Sequence, residues 1–202
     1  DIKIKNMLSL KDSLAVLRKT DALLEGHFIL SSGLHSSKYI QCAKLLSYPN
    51  LADKFCKSLA KKIKKKFKKI DLILAPAMGG IVIGYEIGKQ LKKETIFCER
   101  VKGKFKLRRG FKIKKKSKVL IIEDVITTGK SSLECVKLIK TSKAKLVGFA
   151  CLIDRSNNKT LKIKKQNIIS QLKIHVPAFT KKNLPSSLNK IPVTSPGSRH
   201  LK

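Results

Sequence analysis

The chain has no Trp among its 202 residues, and aromatic side chains make up only 5%. Its core must therefore be aliphatic. A surface that reads single-stranded nucleic acid by stacking bases on rings lacks its rings. No C-x-x-C pair occurs among Cys42, Cys56, Cys98, Cys135 and Cys151, so zinc and dithiol motifs are unsupported. His27, His35, His175 and His200 have no metal-ligand spacing. No apolar run approaches the roughly 18 residues of a membrane span, so no membrane partner is expected. The segment from Asp1 to Leu10 alternates Lys with apolar residues and lacks a secretory apolar core. A soluble cytoplasmic protein with reduced thiols is expected.

Acids are scarce as well. There are 13 against 46 Lys and Arg, for a formal net charge of +33. Much of that charge is diffuse. Nine lysines from Lys54 to Lys69 lie on the polar side of a helical pattern whose other side carries Leu51, Phe55, Leu59, Ile63 and Phe67. Such a face is solvated, and no specific nucleic-acid partner is expected. A second basic segment differs. Between Arg100 and Ile122 stand 11 Lys or Arg and no acid, with Gly103 and Gly110 breaking the early part. Alternating cations between glycines suit a mobile loop or hairpin.

With 42% hydrophobic residues the chain can bury a core, and its length suits one domain. An amphipathic helix is expected over Ser9 to Glu25, closed by Gly26. Two short strands should flank the turn-rich Ser31–Ser37. Further strands are expected at Asp71–Ala75, Thr95–Glu99, Val119–Ile122 and Lys145–Ile153, and helices near residues 50–67, at Ile81–Leu91 and at Ser131–Thr141. Gly80, Gly84 and Gly88 recur at helical spacing and would let backbones approach closely. The tail holds four of the six prolines and reads as a wrapping segment with one short helix. The expected fold is α/β: a doubly wound, mainly parallel sheet in a single domain spanning 1–202. A small hood would occupy about 1–47, the core about 48–174 and the tail about 175–202.

The stretch Val119-Leu-Ile-Ile-Glu-Asp-Val-Ile-Thr-Thr-Gly-Lys-Ser-Ser132 carries most of the chemistry. A buried strand runs into adjacent acids, Glu123 and Asp124. A hydroxyl-rich turn, Thr127 to Ser131, then opens a helix. Helix N-termini offer free N–H groups and a positive dipole end, which suits phosphate. Acids repel phosphate, so they must face another part of the same ligand, and sugar hydroxyls fit. Gly129-Lys130-Ser131 imitates the end of a nucleotide-binding P-loop, but Asp124 stands where that motif requires glycine. An ordinary strand–turn–helix with a Thr cap explains the hydroxyls and leaves the paired acids unexplained. Other strand ends converge on this one. Pro76-Ala-Met-Gly-Gly80 offers bare main chain, and Arg155 is placed for bidentate carboxylate recognition.

These residues resemble the phosphoribosyltransferase family. Glu123-Asp-Val-Ile-Thr-Thr-Gly-Lys-Ser131 is similar to its phosphoribosyl diphosphate signature. Gly26-His-Phe-Ile-Leu-Ser-Ser-Gly-Leu-His35, Ala75-Pro-Ala-Met-Gly-Gly80, Phe97-Cys-Glu-Arg100, Leu107-Arg-Arg-Gly-Phe111 and Asp154-Arg155 look like its orotate branch. The resemblance implies a type I phosphoribosyltransferase fold and transfer of phosphoribose from phosphoribosyl diphosphate (PRPP) to orotate. It implies Mg2+ held mainly by PRPP rather than by protein ligands, and a homodimer sharing the basic loop. Arg100, Lys104 and Asp124 would be catalytic. PRPP would be bound by Met78, Gly79, Arg100, Lys104, Lys106, Glu123, Asp124, Val125, Ile126, Thr127, Thr128, Gly129, Lys130 and Ser131. Orotate would meet Tyr39, Ile40, Thr127 and Arg155. Relatives place Lys where Ser31 and Gly79 stand, a second basic residue at Val101 and a His at Lys106. A transferase for a purine and a non-catalytic nucleic-acid-binding regulator on the same fold are the alternatives.

Overall fold

The computed structural model describes residues 7–30 and 33–194. Ser31 lies outside the described residues. Helix α1 (Leu10–Lys19) is capped by Ser9, whose Oγ accepts from Asp12 N at 3.1 Å. It ends well before the expected Glu25. Thr20 Oγ1 donates back to Val16 O at 2.9 Å, and Asp21 turns left-handed at φ 52°. The chain then enters β1 (Leu23–Ile29), where Leu24 and Glu25 pair antiparallel with Tyr39 and Lys38 of β2 (His35–Ile40). Cross-strand pairing thus wins over a helical pattern that Leu24 only seemed to extend.

A short α2 (Cys42–Leu46) leads into α3 (Pro49–Lys66). Phe55, Leu59 and Ile63 of α3 are fully buried, as their spacing required. Then come β3 (Leu72–Pro76), α4 (Gly79–Leu91), β4 (Glu94–Val101), β5 (Lys104–Leu107), β6 (Lys118–Ile126), α5 (Lys130–Thr141), β7 (Lys145–Asp154) and β8 (Ile168–Lys173). The tail adds β9 (Ala178–Phe179), α6 (Ser186–Asn189) and β10 (Val193–Thr194).

The main sheet has order β5-β4-β3-β6-β7-β8, and only β5 runs antiparallel. Leu120 and Ile122 of β6 pack with α3 and α4 on one face, whereas Val119 and Ile121 pack with Cys135 and Ile139 of α5 on the other. Helices on both faces make the sheet doubly wound. Gly84 sits so close to β3 that a Cβ there would meet Ala75 Cβ at 2.7 Å. The largest fully buried side chains are Leu and Ile apart from Phe55, the aliphatic core that the missing aromatics required.

A second sheet, β10-β1-β2-β9, forms the hood from both ends of the chain. Ser36 Oγ donates to Pro177 O at 3.0 Å, and the His27 ring meets Ile191 O at 3.0 Å, tying the tail down. Neither β8 nor these tail strands was legible as an element. No helix among the described residues is long and apolar enough to cross a membrane.

Candidate active site

Glu123 and Asp124 lie inside β6, not beyond it. Pairing with β3 stops at Ile121, while pairing with β7 continues to Ile126 opposite Asp154. The end of β6 therefore has one paired edge and one open edge, and a ligand can reach it there. This is the carboxyl end of the sheet, where open α/β folds bind ligands.

Successive strand residues point to opposite faces, and the two acids obey this. Asp124 faces the hood side. Its carboxylate rests over Gly79, where an added Cβ would stand 2.6 Å from Oδ2. Burial raises its pKa, against a hydrogen bond from Val125 N to Oδ1 at 2.9 Å. Tyr39 and Arg155 are close enough to act on each other electrostatically, and Asp124 acts on Tyr39. The Arg155 main chain is fixed by donation to Ile126 O at 2.9 Å. Its Nε is buried with no hydrogen-bond partner, and burial lowers its pKa. Asp154 does not neutralise it; that carboxylate is 5% exposed and accepts from Ser156 N at 2.8 Å. A half-buried guanidinium whose Nε has no partner suits an anion, and a planar carboxylate fits its fork. The Tyr39 ring lies 5.8 Å from that of Phe28 and forms one wall. Ile40, expected beside it, instead points the other way into the core at 6% exposure.

Glu123 faces α5. It is 8% exposed and accepts a hydrogen bond from the Ser132 hydroxyl. Burial pushes its carboxyl up to about 7, the Ser132 bond opposes this, and Asp124 adds to it. The pleat thus sends the two acids to opposite faces of β6, and Ser132 occupies Glu123.

Between the two faces runs the turn. Thr127 is exposed, and the cap of α5 is Gly129 at φ 70°, which has no side chain to bond the helix N-terminus. Thr128 Oγ1 accepts weakly from Lys130 N at 3.4 Å. The first N–H groups of α5 lie at a dipole end suited to phosphate, with only that weak bond to Thr128 at Lys130. Ile126 is core and Val125 half-buried, so both can offer a ligand only main chain.

The basic segment is a paired hairpin, with Arg100 opposite Phe105 and Val101 opposite Lys104. Arg100 turns to the Glu123 side. Its Nη1 donates to Glu134 Oε2 and to Gly103 O, both at 2.8 Å, and the guanidinium lies 4.1 Å from the Phe105 ring centre. Lys104 and Lys106 are exposed. Arg100 is therefore engaged at Glu134 rather than at Asp124. Met78, 81% exposed, precedes α4 beside Gly79. Reading the chain missed Ser132 and Glu134. For Ser132 a signal existed, since Glu123 shares strand parity with the α5-facing Val119 and Ile121.

A family model described as "Phosphoribosyl transferase domain" matches residues 43–180. The chain belongs to this phosphoribosyltransferase family. Among curated phosphoribosyltransferases it is 44% identical over 188 residues to the orotate phosphoribosyltransferase of Caldicellulosiruptor saccharolyticus, covering 93% of this chain and 96% of that one. It is 46% identical over 184 residues to that of Parvibaculum lavamentivorans, covering 91% and 94%. The orotate phosphoribosyltransferase structure from Aeropyrum pernix shares the fold, with a TM-score of 0.63 at 20% identity over 79% of this chain and 92% of that one. The type I phosphoribosyltransferase fold expected from the motifs is thus the observed one.

Proposed function

We propose that this phosphoribosyltransferase moves the phosphoribosyl group of PRPP onto orotate, giving orotidine monophosphate and pyrophosphate in de novo pyrimidine synthesis. The observation that carries the choice of base is Arg155, a half-buried residue beside Tyr39 whose Nε is buried with no hydrogen-bond partner. A carboxylated base satisfies it, whereas an oxopurine leaves it unmatched.

The bond from the anomeric carbon to pyrophosphate breaks as a ring nitrogen of the base attacks. Positive charge builds on the ribose, and no protein nucleophile is needed. Asp124 stabilises that cation and accepts ribose hydroxyls, while Glu123 reaches the same sugar only by leaving Ser132. The turn Thr127–Ser131 takes the 5′-phosphate on the N–H groups opening α5. Main chain at Met78 and Gly79 approaches pyrophosphate. Arg100, Lys104 and Lys106 complete the pyrophosphate site when the hairpin closes. The half-exposed Arg100–Glu134 pair is worth only about 0.2–1 kcal/mol, so a diphosphate can draw Arg100 away. Among the described residues no group of three or more His, Cys, Asp or Glu could hold a metal. Asp124 would offer a hard oxygen donor to Mg2+ carried by PRPP; when bound, that ion would neutralise charge on the departing pyrophosphate.

Helix α4 leaves Val82 and Tyr85 exposed at 52% and 69%, in line with Met78. That stripe suits a second copy, whose hairpin could then serve this site. Five free, buried cysteines agree with a cytoplasmic setting.

The test is PRPP-dependent pyrophosphate release with orotate, uracil and hypoxanthine in parallel, with and without Mg2+. Release with orotate alone is expected. Release only with hypoxanthine, or with no base, overturns the reading.

A further inference from the structure

The phosphoribosyl site uses the carboxyl ends of the strands and leaves most of the +33 charge unexplained. The parallel sheet sorts part of that charge. Strands β3, β4, β6 and β7 all begin at the opposite edge, and the loops feeding them carry lysines far apart in sequence. These are residues 68–71, 92–94, 114–118 and 143–145. Pairing of Leu72 with Glu94 and Val119, and of Lys118 with Lys145, aligns them. Main-chain hydrogen bonds lock neighbours together: Asp71 N to Lys118 O at 2.8 Å, Lys116 N to Lys143 O at 3.0 Å and Lys145 N to Ser117 O at 2.9 Å. The edge holds ten lysines against two acids, Asp71 and Glu94, and every one of these lysines except the half-buried Lys118 is exposed. One of those acids is partly used internally, since Asp71 Oδ2 accepts from Lys118 N at 2.8 Å.

We propose that this lysine edge binds a nucleic-acid duplex through its phosphates, without reading sequence. Four adjacent strands span about 14 Å at ~4.8 Å per gap. A duplex presents about eight charges over that length, at one per ~1.7 Å of axis. Only part of these face the edge, so its excess of eight lysines over acids is enough to cover them. No exposed large hydrophobic residue among those described lies in these loops, so the edge has nothing to stack on unpaired bases or to insert into lipid. Phosphate contact alone remains, with affinity driven by counterion release. Binding there leaves the transfer site open at the other end of the strands.

The test is fluorescence anisotropy of a labelled 20-base-pair DNA duplex over a salt series. Two variants of equal charge change are compared: K92Q/K93Q/K114Q/K115Q on the edge, and K19Q/K181Q/K182Q/K190Q in the hood and tail. The edge variant should lose at least ten-fold in affinity, and its salt slope should fall by about 3.6 for four lost contacts. Each half, K92Q/K93Q or K114Q/K115Q, should give about half that change. The hood variant should keep the wild-type slope, and both should keep transferase activity. Equal losses in the two variants overturn the proposal, because the charge is then diffuse. Binding to phosphatidylserine vesicles but not to duplex overturns it as well.

Discussion

Glu123 and Asp124 are neighbours in β6, yet they sit in different environments. Asp124 opens toward the hood, above a glycine and beside Tyr39, with an unmatched Arg155 nearby. Glu123 is closed in against α5 and bonded to Ser132, with its carboxyl raised to about 7. The pleat alone produces this difference. One acid is left free for a ligand, and the other holds the strand against the helix that presents the phosphate turn.

The largest effect should come from Asp124→Asn. Removing its charge from the developing ribose cation should lower kcat by about 10²–10³-fold, or roughly 2.7–4 kcal/mol, as for loss of one preorganised charged contact. The unfolding midpoint at neutral pH should not fall and should rise, because burial disfavours the charged form of Asp124. A variant with wild-type turnover would break the comparison at its open side.

Glu123→Gln should act chiefly on stability. A carboxyl raised by burial keeps its proton in the folded state between its ordinary pKa near 4.5 and about 7, where the unfolded chain has released it. The folded state then binds more protons, so stability falls as pH rises through that window. Gln keeps a hydrogen bond for Ser132 without the charge. The variant should lose that slope and be more stable above pH 7, by on the order of 3 kcal/mol. Urea midpoints from pH 4 to pH 8 measure this; a slope equal to wild type would mean that burial does not raise the Glu123 carboxyl.

Arg155→Ala comes next. Loss of a charged hydrogen-bonding partner costs about 1.5–3 kcal/mol, so KM for orotate should rise by roughly 10–150-fold while KM for PRPP changes little. Equal changes in both would place Arg155 on the phosphate side and erase the division of labour across β6.

Much of this was legible because it rests on local pattern. The apolar run Val119–Ile122 gave the strand, the Thr127–Ser131 turn gave the helix start, and four-residue spacing gave the buried face of α3. What was not legible depends on distant partners. Leu24 continues a helical stripe until β2 is there to pair with it. Ile168–Lys173 forms an edge strand with only a partly buried pattern, so its sequence carries little alternation. The two-residue strands of the tail exist only because the hood offers free edges. Arg155 could be marked from its place at a strand end, but its burial depends on the fold around it. The side taken by each acid, and by Ile40 against Tyr39, was available from period-two alternation and needed only one anchored residue in each strand.

The smallest effects sharpen the comparison most, because one added methyl can be placed on either side. At Gly79 a new Cβ would press on the Asp124 carboxylate, 2.6 Å from Oδ2. A carboxylate is the free end of a rotatable side chain, so it can swing aside with little strain. Gly79→Ala should therefore change stability by less than about 0.5 kcal/mol while lowering turnover several-fold, because Asp124 is displaced. At Gly129 the problem is the backbone. A φ of 70° costs an L-residue about 1–2 kcal/mol, and the new Cβ would also meet Ile163 Cγ1 at 2.8 Å. Gly129→Ala should lower stability by about that amount and raise KM for PRPP, because the turn relaxes away from its phosphate-binding shape. Urea unfolding and steady-state kinetics on the pair separate the two outcomes. If Gly79→Ala proves the less stable variant, the Asp124 side is not the open, yielding side of β6.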